Sequence, residues 1–387
     1  MSEKVLMAAT VAPTIGQFNM DNIKILQGLG YEVHVACDFQ DRSVWTTSRM
    51  EDFQKELSTL GVKYFQVDFS RSPLDMKRHV KAYRQLKAMM CQNAYAFVHC
   101  HTPVASAICR VAAHKTKTTC IYTAHGFHFY KGAPLKNWMI FYPVEWFLSR
   151  WTDILITINR EDYVRADKHF KAGHVEYVPG VGVDLEKINS VTGNRKELRG
   201  ALGISEEDVL LLSVGELSHR KNHETVIRAL KEINDPHIRY FICGQGSMEE
   251  NLRRLVHELG LDNQVQLLGF RTDVYELYHG ADLFVFPSYQ EGLPVALMEA
   301  MACGLPCVAS SIRGNIDLIE DGKGGCLCRP DDVAGFAGKI KQLLADSKMQ
   351  RQCGEKNKKT IEAFDIAIIN EKMTEIYEQC AKGSRAT

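Results

Sequence analysis

Short apolar runs alternate along this chain with longer stretches in which apolar residues recur every three or four positions. Residues 4–9 read as a strand, 13–17 as a loop, and 19–29 as a helix stopped at Gly30. Strands are expected at 31–37, 63–68, 96–101, 119–124 and 153–157, with helices at 53–60, 76–90 and 142–150 between them. The pattern restarts at residue 209. Strands at 209–215, 239–243, 265–268, 283–287 and 306–309 are separated by helices at 224–233, 248–259, 272–279 and 295–302. Strand–helix alternation predicts parallel sheets covered by helices on both faces. The glycine-bearing stretch 179–183 and the charged stretch 189–199 divide the chain into two doubly wound α/β domains, 1–180 and 190–360. In such sheets ligands lie at the carboxyl ends of the strands, so two of them would face a ligand across a cleft.

Composition narrows the function classes. The 387 residues are 45% hydrophobic and 24% charged, which is globular rather than disordered usage. No apolar run approaches the ~18–20 residues of a bilayer span, and residues 1–9 lack a secretory signal, so a cytoplasmic protein is expected. Equal numbers of basic and acidic residues, 47 each, argue against a nucleic-acid binder. The twelve cysteines include no C-x-x-C pair and read as small buried hydrophobes in a reducing compartment. Charge is unevenly placed. Residues 1–180 hold 22 Lys and Arg against 16 Asp and Glu, and within 71–117 nine bases face the single acid Asp75.

The strongest constellation is Glu291, Gly292, Leu293, Pro294, Val295 and, eight residues after the first glutamate, Glu299. Glycine and proline make a turn after a strand, and the following helix start offers backbone N–H groups and a dipole that favour a phosphate. Pro294 donates nothing, so Leu293 and Val295 are the candidate donors. A carboxylate on this helix, Glu299, can accept hydrogen bonds from ribose hydroxyls. The segment resembles the E-x7-E motif of the retaining family 4 glycosyltransferases, which use a nucleotide-sugar donor and have the GT-B fold of two Rossmann-like domains facing across a cleft. Other segments agree in order: Thr14, Ile15 and Gly16 in the first strand–helix loop; residues 122–127 around His125; the junction 178–184; Gly215, Glu216 and Leu217 leading to Lys221 and Asn222; and 313–319.

The resemblance implies roles. Glu291 lies near the donor sugar hydroxyls, Glu299 binds the ribose, and Lys221 contacts the diphosphate. The family often has an arginine where this chain has Glu216, and Arg220 is the candidate to replace that charge. Gly269, Phe270 and Arg271 lie by the nucleobase, Gly292 belongs to the donor turn, His125 hydrogen-bonds the sugar, and Gly16 allows close approach to the diphosphate. Residues 361–387 are expected to form a helix returning to the first domain. Members of the family need no metal, and no metal-ligand cluster is visible; no cofactor is expected. His99 and His101, two apart at a strand end, lack nearby carboxylates.

For the acceptor, the helix 76–90 carries five bases and apolar Val80, Leu86, Met89 and Met90, and the segment 127–138 is aromatic and basic. A basic amphipathic helix can lie on an anionic membrane, at the inner face of the cell membrane; it can equally pack an apolar stripe into the core. The reading is a retaining glycosyltransferase that moves a sugar from a nucleotide sugar, expected to be a UDP-sugar, to a glycan acceptor, expected to be lipid-linked, in capsule or exopolysaccharide synthesis. A nucleotide-sugar epimerase of the same fold and a non-catalytic sugar-nucleotide-binding protein are the alternatives.

Overall fold

The computed structural model describes residues 2–191 and 195–384, with side chains to residue 380. It divides into two compact units. The first comprises Met1–Val181 together with the chain from Ile368 onward; the second is Gly182–Ala367.

The first unit holds seven parallel strands: β1 Lys4–Val11, β2 Glu32–Asp38, β3 Lys63–Gln66, β4 Phe97–His101, β5 Thr119–Ala124, β6 Ile154–Thr157 and β7 His174–Tyr177. Their order is β3-β2-β1-β4-β5-β6-β7, so the winding reverses between β1 and β4. Residues of β1 and β4 are almost wholly buried, as expected of strands covered on both faces. The second unit holds β8 Val209–Val214, β9 Ile238–Cys243, β10 Val265–Gly269, β11 Leu283–Phe286, β12 Cys307–Ser310 and β13 Gly325–Cys328. Their order is β10-β9-β8-β11-β12-β13, with the reversal between β8 and β11. In both sheets the reversal point is where the loops diverge and leave room for a ligand.

Several expectations need correction. The segment 13–17 is not a loop: it lies in the helix Ala12–Phe18, whose start tolerates Pro13 because the first N–H groups of a helix have no partner in it. The helix expected from residue 142 begins at Leu135 and runs to Ser149, with Pro143 inside it. The aromatic segment 127–138 is therefore part helix, and Phe127 and Phe129 are core residues rather than loop aromatics. The helix Met76–Asn93 turns Ala82, Leu86 and Met90 into the core. Two of its bases are engaged in ion pairs, Arg78 with Asp38 and Lys81 with Asp68 at 3.1 Å. The helices Pro103–Thr116, Val333–Ala345 and Ser347–Ile361 and the strands β7 and β13 were not read from the sequence.

The last helix, Ile366–Ser384, lays Ile369, Met373, Ile376, Tyr377 and Cys380 into the first unit's core. All twelve cysteines are free thiols and nine are buried. No helix among the described residues is long and apolar enough to cross a membrane.

Candidate active site

In the second unit, the loops after β8 and β11 carry the candidate donor residues. After β8 the chain passes Gly215 and makes a single 3-10 turn, His219–Lys221. Asn222 follows in the left-handed region (φ 55°). Asparagine tolerates that conformation, and its side-chain amide donates to the carbonyls of Pro287 (3.0 Å) and Pro330 (2.7 Å), which pins the turn. Lys221 is thereby folded back over the Phe286 ring, with Nζ 4.6 Å from its centroid, and is largely buried. A side chain on Gly215 would press on Lys221, its Cβ 3.1 Å from Cε.

Glu291 lies opposite. Its Oε1 is 2.9 Å from Lys221 Nζ and its Oε2 2.9 Å from Arg220 Nη1. Burial pushes its carboxyl up, but the charges of Lys221 and Arg220 outweigh burial and hold it below the usual range, so it is ionised at neutral pH. Arg220 also donates to Gln290 O (3.0 Å), while Arg313 Nε donates to the carbonyl of Glu291 (3.2 Å). Arg220 thus stands beside Lys221 as a second cation, and Glu216, at the position where the family often has arginine, is exposed.

Three residues on, the helix Val295–Ala302 starts after Pro294 with no side-chain cap. Its first N–H groups, with the adjacent turn at Gly292 and Leu293, are free to meet an anion. Glu299 is the fifth residue of this helix, one turn in. It does not simply face water: Tyr275 donates to Oε1 (3.3 Å) and Tyr278 to Oε2 (3.1 Å). Burial raises its carboxyl, and the two phenols oppose that. Each oxygen retains a lone pair for a further donor. At the end of β10, Gly269 adopts φ 69°, Phe270 is 72% exposed, and Arg271 forms a two-point pair with Asp273, its Nε 2.7 Å from Oδ1. Lys221, Arg220, Glu291, Gly292, Leu293 and Val295 therefore fall in one loop cluster. Phe270 and Arg271 stand on a separate loop.

The first unit carries His125, directly after β5. Its Nε2 is 3.2 Å from His101 Nδ1, so one imidazole donates to the other. His99 in turn meets Tyr377 Oη (2.8 Å) and Thr123 Oγ1 (2.8 Å). Burial pushes His125 down to about 4 and His99 to about 3, and His101 is lowered as well, so all three are neutral at pH 7. Gly16 sits on a helix, and the space a side chain would need is taken by Trp45, whose Cη2 would be 2.5 Å from an added Cβ. At the β1/β4 reversal lies a cavity of about 310 Å³ lined by residues including Thr10, Thr14, Arg71, Thr102, His128 and Phe141. Thr102 holds φ 67°, rare for a β-branched residue, and its hydroxyl meets the Thr10 backbone N–H (3.0 Å) and hydroxyl (2.7 Å). The sequence gives no sign of this strain. Nor did it point to Tyr275 or Tyr278, and it assigned Arg313 no role of its own within the segment 313–319. Among the described residues, no three His, Cys, Asp or Glu side chains converge to hold a metal ion.

Comparison with known proteins gives the family. The family described as glycosyl transferases group 1 matches residues 194–360, and the glycosyl transferase 4-like domain matches 14–180. A Bacillus subtilis protein named provisionally as glycosyltransferase EpsD is 36% identical over 97% of both chains. An Escherichia coli enzyme, UDP-Gal:α-D-GlcNAc-diphosphoundecaprenol α-1,3-galactosyltransferase, is 27% identical, covering 78% of this chain and 79% of its own. Among solved structures, Anabaena HepE in complex with UDP-glucose superimposes with a TM-score of 0.77 at 19% identity over 97% of this chain and 99% of its own. Sucrose-phosphate synthase from Thermosynechococcus elongatus gives 0.75 at 20% identity, over 97% and 99%. With a relative this similar along nearly its whole length, and two parallel sheets of the GT-B kind, the chain belongs to the family 4 glycosyltransferases and is a glycosyltransferase.

Proposed function

We propose that the protein transfers a sugar, with retention of anomeric configuration, from a UDP-sugar to a lipid-linked glycan during exopolysaccharide or capsule synthesis, working peripherally at the cytoplasmic face of the membrane. The observation that carries the donor reading is the cluster of Lys221, Arg220 and Glu291 beside the uncapped start of the helix bearing Glu299. Departure of a nucleoside diphosphate leaves negative charge on phosphate oxygens. Lys221, Arg220 and the N–H groups near Leu293 and Val295 are fixed donors for that charge, and such preorganised donors are worth the most where water is excluded. In this reading the protein's own cations replace a metal ion. Glu291 keeps them in place before the donor arrives and then accepts from sugar hydroxyls, Glu299 accepts from the ribose, and Gly269, Phe270 and Arg271 frame the base. His125, neutral, hydrogen-bonds the sugar. The cavity at the β1/β4 reversal, with Arg71 and an aromatic wall, suits an acceptor that pairs an anionic group with an apolar one.

Support for the donor comes from HepE, solved with UDP and UDP-glucose, and for the acceptor from the Escherichia coli relative, named for a diphosphoundecaprenol-linked sugar. The test is release of nucleoside diphosphate from a panel of UDP-, GDP-, ADP- and dTDP-sugars, with and without lipid-diphosphate-linked sugars, followed by NMR assignment of the product's anomeric configuration. UDP release that depends on the lipid-linked acceptor, with retention and full activity in EDTA, is expected. Loss of activity in EDTA restored by manganese, an inverted product, or preference for another nucleotide would each overturn the corresponding part.

A further inference from the structure

The helix Leu135–Ser149 is apolar on every side, yet one side of it faces solvent. Leu135 is 72% exposed, Met139 64% and Ile140 56%, and Val144, Trp146 and Phe147 are also open. A surface helix of a water-soluble protein keeps a polar outer face, and a contiguous apolar face of this kind marks an interaction surface. The inner side is firmly seated. Glu145 is buried and its carboxylate is 2.8 Å from Nη1 of buried Arg110, whose guanidinium lies 4.4 Å from the Tyr122 ring centroid. Glu145 is the only acid between residues 131 and 152, so the charges exposed along this stretch, Lys131, Lys136 and Arg150, are all basic. At the carboxyl end the cations are fixed over aromatic rings: Arg150 over Trp146 (4.9 Å) and Phe147 (4.8 Å), and Lys171 over Trp146 (5.5 Å).

We propose that this face seats on an anionic phospholipid bilayer, with the helix in the plane of the interface. An apolar strip with indole and phenyl rings at one end, flanked by bases and with no exposed acid within residues 131–152, matches the acyl–headgroup boundary of such a membrane in both polarity and charge. Fifteen residues span about 22 Å at 1.5 Å each, short of the ~30 Å hydrocarbon core, so the helix lies on the membrane and does not cross it. A second copy of the chain fits less well, because pairing the two faces would bring like charges together around the seam with no exposed acid from this stretch to neutralise them. The site is distinct from the basic helix Met76–Asn93, which buries Ala82, Leu86 and Met90 in the core and leaves only Met76 and Val80 of its large apolar residues exposed. Phe141, on the same helix as the exposed strip, lines the cavity at the β1/β4 reversal, so a lipid-held acceptor would meet that cavity from the membrane side. The acceptor's route rests on the lipid-linked reading above; the surface itself does not.

The experiment is co-sedimentation of the full chain with vesicles of phosphatidylcholine alone or mixed with phosphatidylglycerol, at low and high salt. Three variants are compared with wild type, each checked for an unchanged melting temperature: Met139→Ser/Ile140→Ser/Phe147→Ser, Lys136→Glu/Arg150→Glu, and Lys77→Glu/Arg84→Glu/Lys87→Glu on the other helix. Wild type is expected to bind the anionic vesicles with salt sensitivity. The serine variant should lose about tenfold or more in affinity, since three apolar insertions are gone. The Lys136/Arg150 variant should lose the anionic preference, and the third variant should retain most binding. Absence of wild-type binding to anionic vesicles at low salt, undiminished binding by the serine variant, or loss confined to the third variant would overturn the proposal. So would a stable wild-type dimer in analytical ultracentrifugation that the serine variant abolishes, which would make a second copy the occupant. Transfer assayed on a detergent-solubilised lipid-diphosphate sugar separates the two readings. Transfer without vesicle binding sinks the surface alone; vesicle binding without transfer sinks the acceptor alone.

Discussion

Lys221 depends on Glu291 more than Arg220 does, because Lys221 is almost buried and Arg220 can turn to water. Glu291→Gln should therefore destabilise the ligand-free protein by about 3 kcal/mol, the scale of a broken buried pair. The carboxyl is held below its ordinary 4.5, so its stabilisation is complete above pH 4.5 and is lost as pH falls through the lowered folded value. Wild type and variant should melt apart at pH 7 and together in strong acid. In turnover the same variant should lose about a hundredfold in kcat, the scale of one transition-state contact, with nucleotide affinity little changed. Glu299→Ala should do the reverse, weakening calorimetric nucleotide binding by about 1–3 kcal/mol through lost charged hydrogen bonds. His125 is pushed from 6.5 to about 4, so if it serves the proposed sugar contact in its neutral form the acid limb of kcat/KM should lie near pH 4 and not near 6.5. The E-x7-E pair was legible as two glutamates at a fixed spacing, and Lys221 through the resemblance of its loop to the family's. Their partners were not: that Glu291 would neutralise two cations, or that Tyr275 and Tyr278 would reach Glu299, depends in every case on side chains more than twenty residues away and on different elements.

At the scale of elements, the donor turn is held by close backbone approach. Gly314 has φ 84°, and a Cβ there would sit 2.4 Å from the carbonyl oxygen of Gly292. Gly314→Ala should thus displace the turn between Glu291 and Val295. The expected cost is about 2–4 kcal/mol from overpacking and positive-φ strain together, read as a lower melting temperature with weakened nucleotide binding. A melting temperature and affinity equal to wild type would remove the turn from this account. Strands with near-continuous apolar runs, such as β1, β8 and β11, were legible because burial on both faces leaves that mark. Helix Leu135–Ser149 was misread at its start because its apolar residues have no 3.6-residue face; periodicity cannot locate an element that is apolar all round. The helix Ala12–Phe18 was missed because Pro13 and Gly16 read as turn residues, whereas proline opens the helix and Trp45 occupies the space that glycine leaves.

For the molecule as a whole, the first unit is discontinuous in sequence. Ile369, Met373, Ile376 and Tyr377 complete its core, and Tyr377 holds His99 beside the His101–His125 pair. Fully burying each such side chain is worth about 1.5–3 kcal/mol, so losing several approaches the ~5–15 kcal/mol that holds a domain together. A fragment ending at residue 181 should fail to give a cooperative melt, and a peptide of residues 366–384 added in trans should restore one; a cooperative melt of the fragment alone would contradict this. The sequence by itself determined the class of fold, the restart of the pattern near residue 209 and the E-x7-E segment that marks the family, because these rest on local periodicity, turn chemistry and a motif contained in a few consecutive residues. Only the tertiary structure decided which carboxylates are neutralised and by what, which glycines are needed for packing, and which apolar helix remains uncovered. Those outcomes turn on contacts between residues far apart in the chain, and local pattern carries no record of them.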